Sequence, residues 1–271
     1  MRKRQALLSE AQWAVLAPLF PEPKRRKDGR GRPWASNRAC FQGILWVLRT
    51  GARWRDLPEE YPDGSTCWRR LRMWEEQGVW LRAWRKLLAQ LDERRLLDWQ
   101  EAFLDATFVT AKKGASPSAR HVAGKVRSAW WWSTAGGVPV GAQLASAQIS
   151  EHRLAESTLE QVKVPRSGRG RPRSRLRRVI ADRGYDSDPL RLRLKRRGTE
   201  LIAPYRSNNR HRRLEDKRKL RRYRKRWKIE RTNAWLQNFR RIQVRYDRIL
   251  TVFQGFFHCA CLLITLRHLC N

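Results

Sequence analysis

Three acidic residues stand where a carboxylate is conspicuous. Asp105 interrupts Phe103–Thr110 (FLDATFVT), a run of β-forming residues in which an apolar or β-branched side chain packs at less cost. Asp182 closes the short apolar run Val179-Ile180-Ala181 and precedes Arg183-Gly184-Tyr185. Glu230 is the lone carboxylate in the basic stretch Tyr223–Gln237 (YRKRWKIERTNAWLQ). Each has an ordinary structural explanation: a turn-shaping role for Asp182, a hydrogen-bonded strand residue for Asp105, a solvated helix face for Glu230. Asp186 and Asp188 compete with Asp182 as the nearby acid. Together, however, three converging carboxylates repel unless a cation neutralises them, and an all-oxygen donor set favours Mg²⁺ or Mn²⁺. Two such ions, roughly 3.5–4 Å apart, can activate a water or a 3′-hydroxyl and stabilise the leaving oxygen of a phosphodiester.

The elements that must position these groups are legible from periodicity. Leu220–Phe239 lacks Gly and Pro and is dense in helix formers, which predicts one helix. Tyr223, Arg226, Glu230, Ala234 and Gln237 then share a face opposite Ile229, Trp235, Leu236 and Phe239. Strands are expected at 103–110, 128–134 and 139–149, with Gly136-Gly137 turning between the last two, and at 179–181 and 200–204. Helices are expected at 152–162 and 189–197. The order describes an α/β layer with a mixed sheet and flanking helices.

Charge names the first partner to test. Sixty Lys+Arg against 25 Asp+Glu give a formal +35, which a compact chain tolerates best beside a polyanion such as nucleic acid. A hydrophobic content of 41% with 14 Trp argues against a disordered basic tail. Five Cys without paired C-x2-C units indicate neither a disulfide framework nor a zinc ribbon. His258, Cys259, Cys261, His268 and Cys270 fall in an apolar helical pattern, where small buried hydrophobes are expected rather than metal ligands. Thr251–Cys270 is interrupted by Gln254, His258, Arg267 and His268, so a core helix is expected there, not a membrane span. MRKRQALLSEAQW has no continuous apolar stretch, and a soluble cytoplasmic protein is expected.

Residues 1–98 read as a helical domain and 99–271 as the α/β domain. Ser9 with Gln12 fits a capping box before a short helix that Pro21 and Pro23 stop. Arg38–Leu48 has helical spacing ending at Gly51, and a helix over Thr66–Gln77, capped by Ser65, carries Arg69, Arg70 and Arg72. Helix, connector and Arg-bearing helix outline a helix-turn-helix reader, or equally a plain basic bundle. Gly29-Arg30-Gly31-Arg32-Pro33 recurs as Gly168–Pro172, and Arg30 and Arg32 on so narrow a backbone could enter a minor groove or belong to a solvated linker.

Asp105 in LDATFVTA, Asp182 in IADRGYD, and Tyr223-x2-Arg226-x3-Glu230 resemble the DDE triad and YREK signature of bacterial insertion-sequence transposases. LSEAQWAVLAPLFP, GRGRP, GILWVLRTGARWRDLP and GVW are similar to the leading segment of the insertion sequence family five branch, so the likeness covers nearly the whole chain. It implies an RNase H-like catalytic domain behind a helix-turn-helix-like domain. It further implies binding of double-stranded DNA at terminal inverted repeats, metal-dependent cleavage and strand transfer into a target, and a homodimer that pairs two ends. By the resemblance Asp105, Asp182 and Glu230 hold two Mg²⁺ or Mn²⁺ ions, while Tyr223 and Arg226 contact phosphates near the scissile bond. Gln237 stands where the signature ends in Lys, and Thr134 where a turn with Asp is expected. The alternatives are a catalytically inactive, degenerate or repurposed DNA-binding relative and an RNA-binding protein with structural carboxylates.

Overall fold

The computed structural model describes residues 7–23, 28, 33–111, 127–146, 151–209, 214 and 216–270. Arg30 and Arg32 lie outside them. Two compact units emerge, one of residues up to Trp84 with those from Gln237 onward, the other running from Arg85 to Leu236. The C-terminal segment therefore belongs with the N-terminal helices, which differs from the single boundary expected at 98/99.

The first unit is helical and includes the short α9 (Arg240–Gln243). In α1 (Glu10–Leu16), Ser9 and Gln12 make the expected reciprocal cap, and the chain tightens into a 3₁₀ turn at Ala17–Leu19. Ser36 caps α2 (Asn37–Thr50), which Gly51 ends at a φ of 72°, a left-handed value that suits glycine. Asp63, not Ser65, caps α3 (Gly64–Glu76) by accepting from the Ser65 amide. The charged carboxylate one residue before the helix satisfies that amide. With α4 (Val79–Glu93) and α10 (Leu250–Cys270), these helices bury Phe20, Phe41, Trp74 and Trp80 as one aromatic cluster.

α10 is long and apolar enough to cross a membrane, yet 72% of its most apolar window is buried inside the protein. It crosses α3 closely: a Cβ on Gly255 would lie 3.0 Å from Leu71. Cys259 and Cys261 are buried on it as expected, and burial pushes both thiols up, whereas Cys270 is exposed. His258 on α10 pairs with buried Glu75 at 2.9 Å.

The second unit holds strands β1 (Glu101–Ala111), β2 (Arg127–Thr134), β3 (Pro139–Ser146), β4 (Arg178–Ile180) and β5 (Glu200–Ile202) in the spatial order β3-β2-β1-β4-β5. The pairs β1–β2 and β2–β3 are antiparallel; β1–β4 and β4–β5 are parallel. Helices α5 (Glu151–Leu159) and α6 (Asp188–Arg196) supply the crossovers that parallel neighbours require. The mixed sheet is thus as the sequence predicts.

The helix expected over 220–239 is broken into α7 (Lys217–Leu220), a 3₁₀ stretch at Arg221–Arg226, and α8 (Trp227–Gln237). Tyr223 and Arg226 therefore sit on a tighter backbone than Glu230. Ile229 and Leu236 anchor α8 in the core. The β2–β3 turn seats it: the Thr232 hydroxyl donates to the Gly137 carbonyl at 3.2 Å and Arg231 to that of Gly136 at 3.2 Å. Gly137 has φ 89°, and a Cβ there would stand 2.8 Å from Trp235, so only glycine allows the close approach.

Candidate active site

Strand register brings the two aspartates together. Phe103 pairs with Ile180 across the parallel β1–β4 ladder, so two residues further along Asp105 comes level with Asp182. Neighbouring strands lie about 4.8 Å apart, and a step of two returns to the same face of the sheet. Asp105 stays inside β1, whereas β4 ends at Ile180 and Asp182 starts a 3₁₀ turn by accepting the Gly184 amide at 2.7 Å. The turn-shaping role of Asp182 and its place beside Asp105 are therefore compatible, each using a different oxygen.

Arg226 joins the pair. Its Nη2 lies 3.6 Å from Asp105 Oδ1 and 4.0 Å from Asp182 Oδ2. Its Nη1 donates to the Tyr223 hydroxyl at 3.3 Å, while its Nε is buried without a partner. Partial burial opposes the charge, but Tyr223 and the Asp105 and Asp182 carboxylates outweigh it and hold the guanidinium above its ordinary pKa. Asn233, on α8, donates to Asp105 Oδ2 at 2.6 Å. Sequence reasoning did not select Asn233. The available signal was its place three residues after Glu230 on the same helix face.

Glu230 is exposed on α8. Among the described residues no group of three or more His, Cys, Asp or Glu side chains stands where it could hold a metal ion, so the convergence of all three carboxylates expected from sequence is absent. The guanidinium of Arg226, four residues before Glu230, instead faces both aspartates. The donor chemistry of Asp105 and Asp182, two carboxylates sharing one positive charge, nonetheless fits a hard divalent cation. Asp186 and Asp188 do not compete for this place. Arg191 binds them at 2.8 and 2.9 Å, and the Arg206 amide, Asn209 and the Tyr205 hydroxyl complete their hydrogen bonds.

The chain matches the family model "Transposase DDE domain" over residues 100–265 and "Putative transposase of IS4/5 family" over residues 8–84. It belongs to the DDE transposase family. Among its relatives is the "Insertion element IS402 uncharacterized 16.2 kDa protein" of Burkholderia cepacia, 46% identical over 39% of this chain and 74% of that protein. Another from that organism, "Putative transposase for insertion sequence element IS402", is 36% identical over 48% of this chain, which spans 58% of that relative's length. The solved piggyBac transposase synaptic complex with hairpin DNA is similar in fold at a TM-score of 0.50 and 8% identity, covering 97% of this chain and 71% of that one. This agrees with an RNase H-like strand order in the transposase.

The arginines expected to meet DNA in the helical unit of the transposase have different surroundings. Arg69 is exposed, and Arg72 pairs with Glu76 at 2.7 Å while lying over the Trp68 ring. Arg70 is buried, donates to Asn37 Oδ1 and to the Ala35 carbonyl, and lies over the Trp34 and Trp74 rings. It is a structural strut, which corrects the expectation that its guanidinium faces a groove. On a helix whose successive side chains turn by about 100°, Arg69 and Arg72 lie on one side and Arg70 turns away from them. Gln237 is exposed, and its carbonyl accepts from Gln243 at 2.6 Å. In the second Gly-Arg-Gly-Arg-Pro copy, Arg169 and Arg171 are exposed on a loop closed by the Val164–Arg173 bridge.

Proposed function

We propose that this transposase binds the terminal inverted repeats of its own element as double-stranded DNA, cleaves strands there and transfers them into a target. Asp105 and Asp182 would hold the divalent ions with Glu230 as a third ligand, and Arg226 would engage a DNA phosphate. Two Mg²⁺ ions, or Mn²⁺ in their place, supply the polarisation of the attacking oxygen and the stabilisation of the leaving one. The residues of the chain do the rest. Asp105 and Asp182 fix where positive charge gathers, Tyr223 and Arg226 grip backbone phosphate, and α8 holds these groups against the β2–β3 turn. Arg69, Arg72 and Gln237, with Arg30 and Arg32, add contacts along the duplex. Two ends require two catalytic units, so the working form is a homodimer acting in the cytoplasm on the nucleoid.

The observation that carries this reading is the approach of Asp105, within β1, and Asp182, just past the end of the parallel neighbour β4, to one guanidinium, with one oxygen of each turned to it. A supercoiled plasmid carrying the element's own ends provides the test. Mg²⁺-dependent nicking at those ends, lost in Asp182→Asn while end binding persists, is the expected outcome. End binding with steep salt dependence but no nicking in Mg²⁺ or Mn²⁺ would instead identify an inactive DNA-binding relative.

A further inference from the structure

Each aspartate of the pair divides its oxygens between two tasks. Asp182 Oδ1 accepts the Gly184 amide at 2.7 Å, and its Oδ2 faces Arg226 at 4.0 Å. Asp105 Oδ2 accepts the Asn233 amide at 2.6 Å, and its Oδ1 faces Arg226 at 3.6 Å. In both cases a neutral N–H fixes one oxygen and leaves the other to a shared cation. For Asp182 the backbone supplies that donor, because β4 has ended and the chain turns. Asp105 lies within β1 and pairs with Trp131 of β2, where main-chain groups are committed to the sheet ladder. Its donor is a side chain from another element.

Asn233 suits that task. It stands three residues after Glu230 on α8, a spacing that shares one helix face. An amide oxygen turned to the carboxylate would repel it, so the nitrogen faces Asp105. The Asn233 oxygen is consequently buried without a hydrogen-bond partner. An orphaned buried atom asks for a reason to keep the side chain, and the donated hydrogen bond supplies one. Neutrality matters as well: a lysine or arginine donor here would oppose an incoming divalent ion, whereas an amide holds the carboxylate without opposing charge.

We infer that Asn233 is a positioning residue that fixes Asp105 Oδ2, so that Oδ1 is presented to the divalent cation shared with Asp182. This rests on the reading of Asp105 and Asp182 as the metal-holding pair. Partners that orient metal-ligating groups typically matter by about 10–100-fold in metal affinity.

Mn²⁺ alone, titrated into the full chain with the free ion followed by electron paramagnetic resonance, tests the inference. Wild type is compared with Asn233→Ala, Asn233→Leu, Asn233→Gln and Asp105→Asn, and duplex affinity is measured alongside. Asn233→Ala and Asn233→Leu are expected to weaken Mn²⁺ binding about tenfold with duplex affinity unchanged. Asn233→Gln, which retains an amide, recovers most of the loss, and Asp105→Asn abolishes the site. Leucine keeps the side-chain bulk, so it carries the test if the alanine variant loosens α8. Wild-type Mn²⁺ affinity in both donor-less variants, with loss in Asp105→Asn, overturns the role of Asn233 alone. So does a parallel loss of Mn²⁺ and duplex binding in both, which marks a purely structural residue. Wild type binding Mn²⁺ no better than Asp105→Asn overturns the metal-pair reading and this inference with it.

Discussion

Two clusters in the same unit have the same composition, two aspartates and one arginine, and opposite character. Asp186, Asp188 and Arg191 are closed: contacts are 2.8 and 2.9 Å, and the Arg191 and Asp186 side chains are 8% and 2% exposed. The Arg191 guanidinium also donates to the Ala203 carbonyl and lies over the Tyr205 ring. Asp105, Asp182 and Arg226 are open: contacts are 3.6 and 4.0 Å, Asp182 is 35% exposed, and Arg226 Nε has no partner. A closed ion cluster fixes the connection between α6 and the chain after β5. An open one keeps its charges near each other at longer range, the arrangement that the proposed exchange of Arg226 for a divalent ion requires.

The largest expected effect separates the clusters by activity. Asp105→Asn or Asp182→Asn lowers single-turnover nicking by roughly 10³-fold, about 4 kcal/mol in the barrier, while leaving the thermal midpoint nearly unchanged. A variant that nicks like wild type would remove that aspartate from the chemistry. Next is Arg191→Ala, which strands the buried Asp186 beside the partly exposed Asp188 and costs about 3–5 kcal/mol of stability, read by urea unfolding. A loss below about 1 kcal/mol would mean that the closed cluster is no more structural than a surface pair.

Arg226→Met comes third. Because its ion contacts are long and partly exposed, its stability change is expected to stay within about 1 kcal/mol, while duplex binding weakens and its salt dependence flattens. Destabilisation matching that of Arg191→Ala would erase the distinction between the clusters. The smallest effect concerns acid. Burial pushes the Asp186 carboxyl up, but the Arg206 amide, Arg191 and Asn209 outweigh it and hold the carboxyl below its ordinary range. That stabilisation is complete above about pH 4 and disappears as pH falls through the depressed folded-state value. Asp186→Asn should therefore flatten the acid limb of stability against pH, and an unchanged limb would refute the assignment.

Much of the fold was legible because periodicity and caps act locally. The β-forming run 103–110, the short run 179–181 and the Gly136-Gly137 turn predict strands and a turn that appear within a few residues of their expected bounds. The helix over 220–239 was legible only in part. Residues 221–226, RRYRKR, carry helix formers throughout, and nothing in their composition marks the 3₁₀ tightening that sets Tyr223 and Arg226 on a different path from Glu230. Ser65 was misread as a cap because a serine and an aspartate two positions apart both suit that role.

The sequence by itself determined the residue types: acids at two strand positions, a basic helix bearing one more, and a charge that calls for a polyanion. It did not determine which acids meet. Asp182, Asp186 and Asp188 are chemically equivalent in the chain, and all precede or open one short helix. Only the β1–β4 register placed Asp182 level with Asp105, and only the packing of Arg191 against Asp186 and Asp188 withdrew those two. Strand pairing and side-chain packing join residues far apart along the chain, as Asn233 and Asp105 are across 128 positions. Local propensity carries no information about such distances, so the open cluster is a product of the tertiary structure.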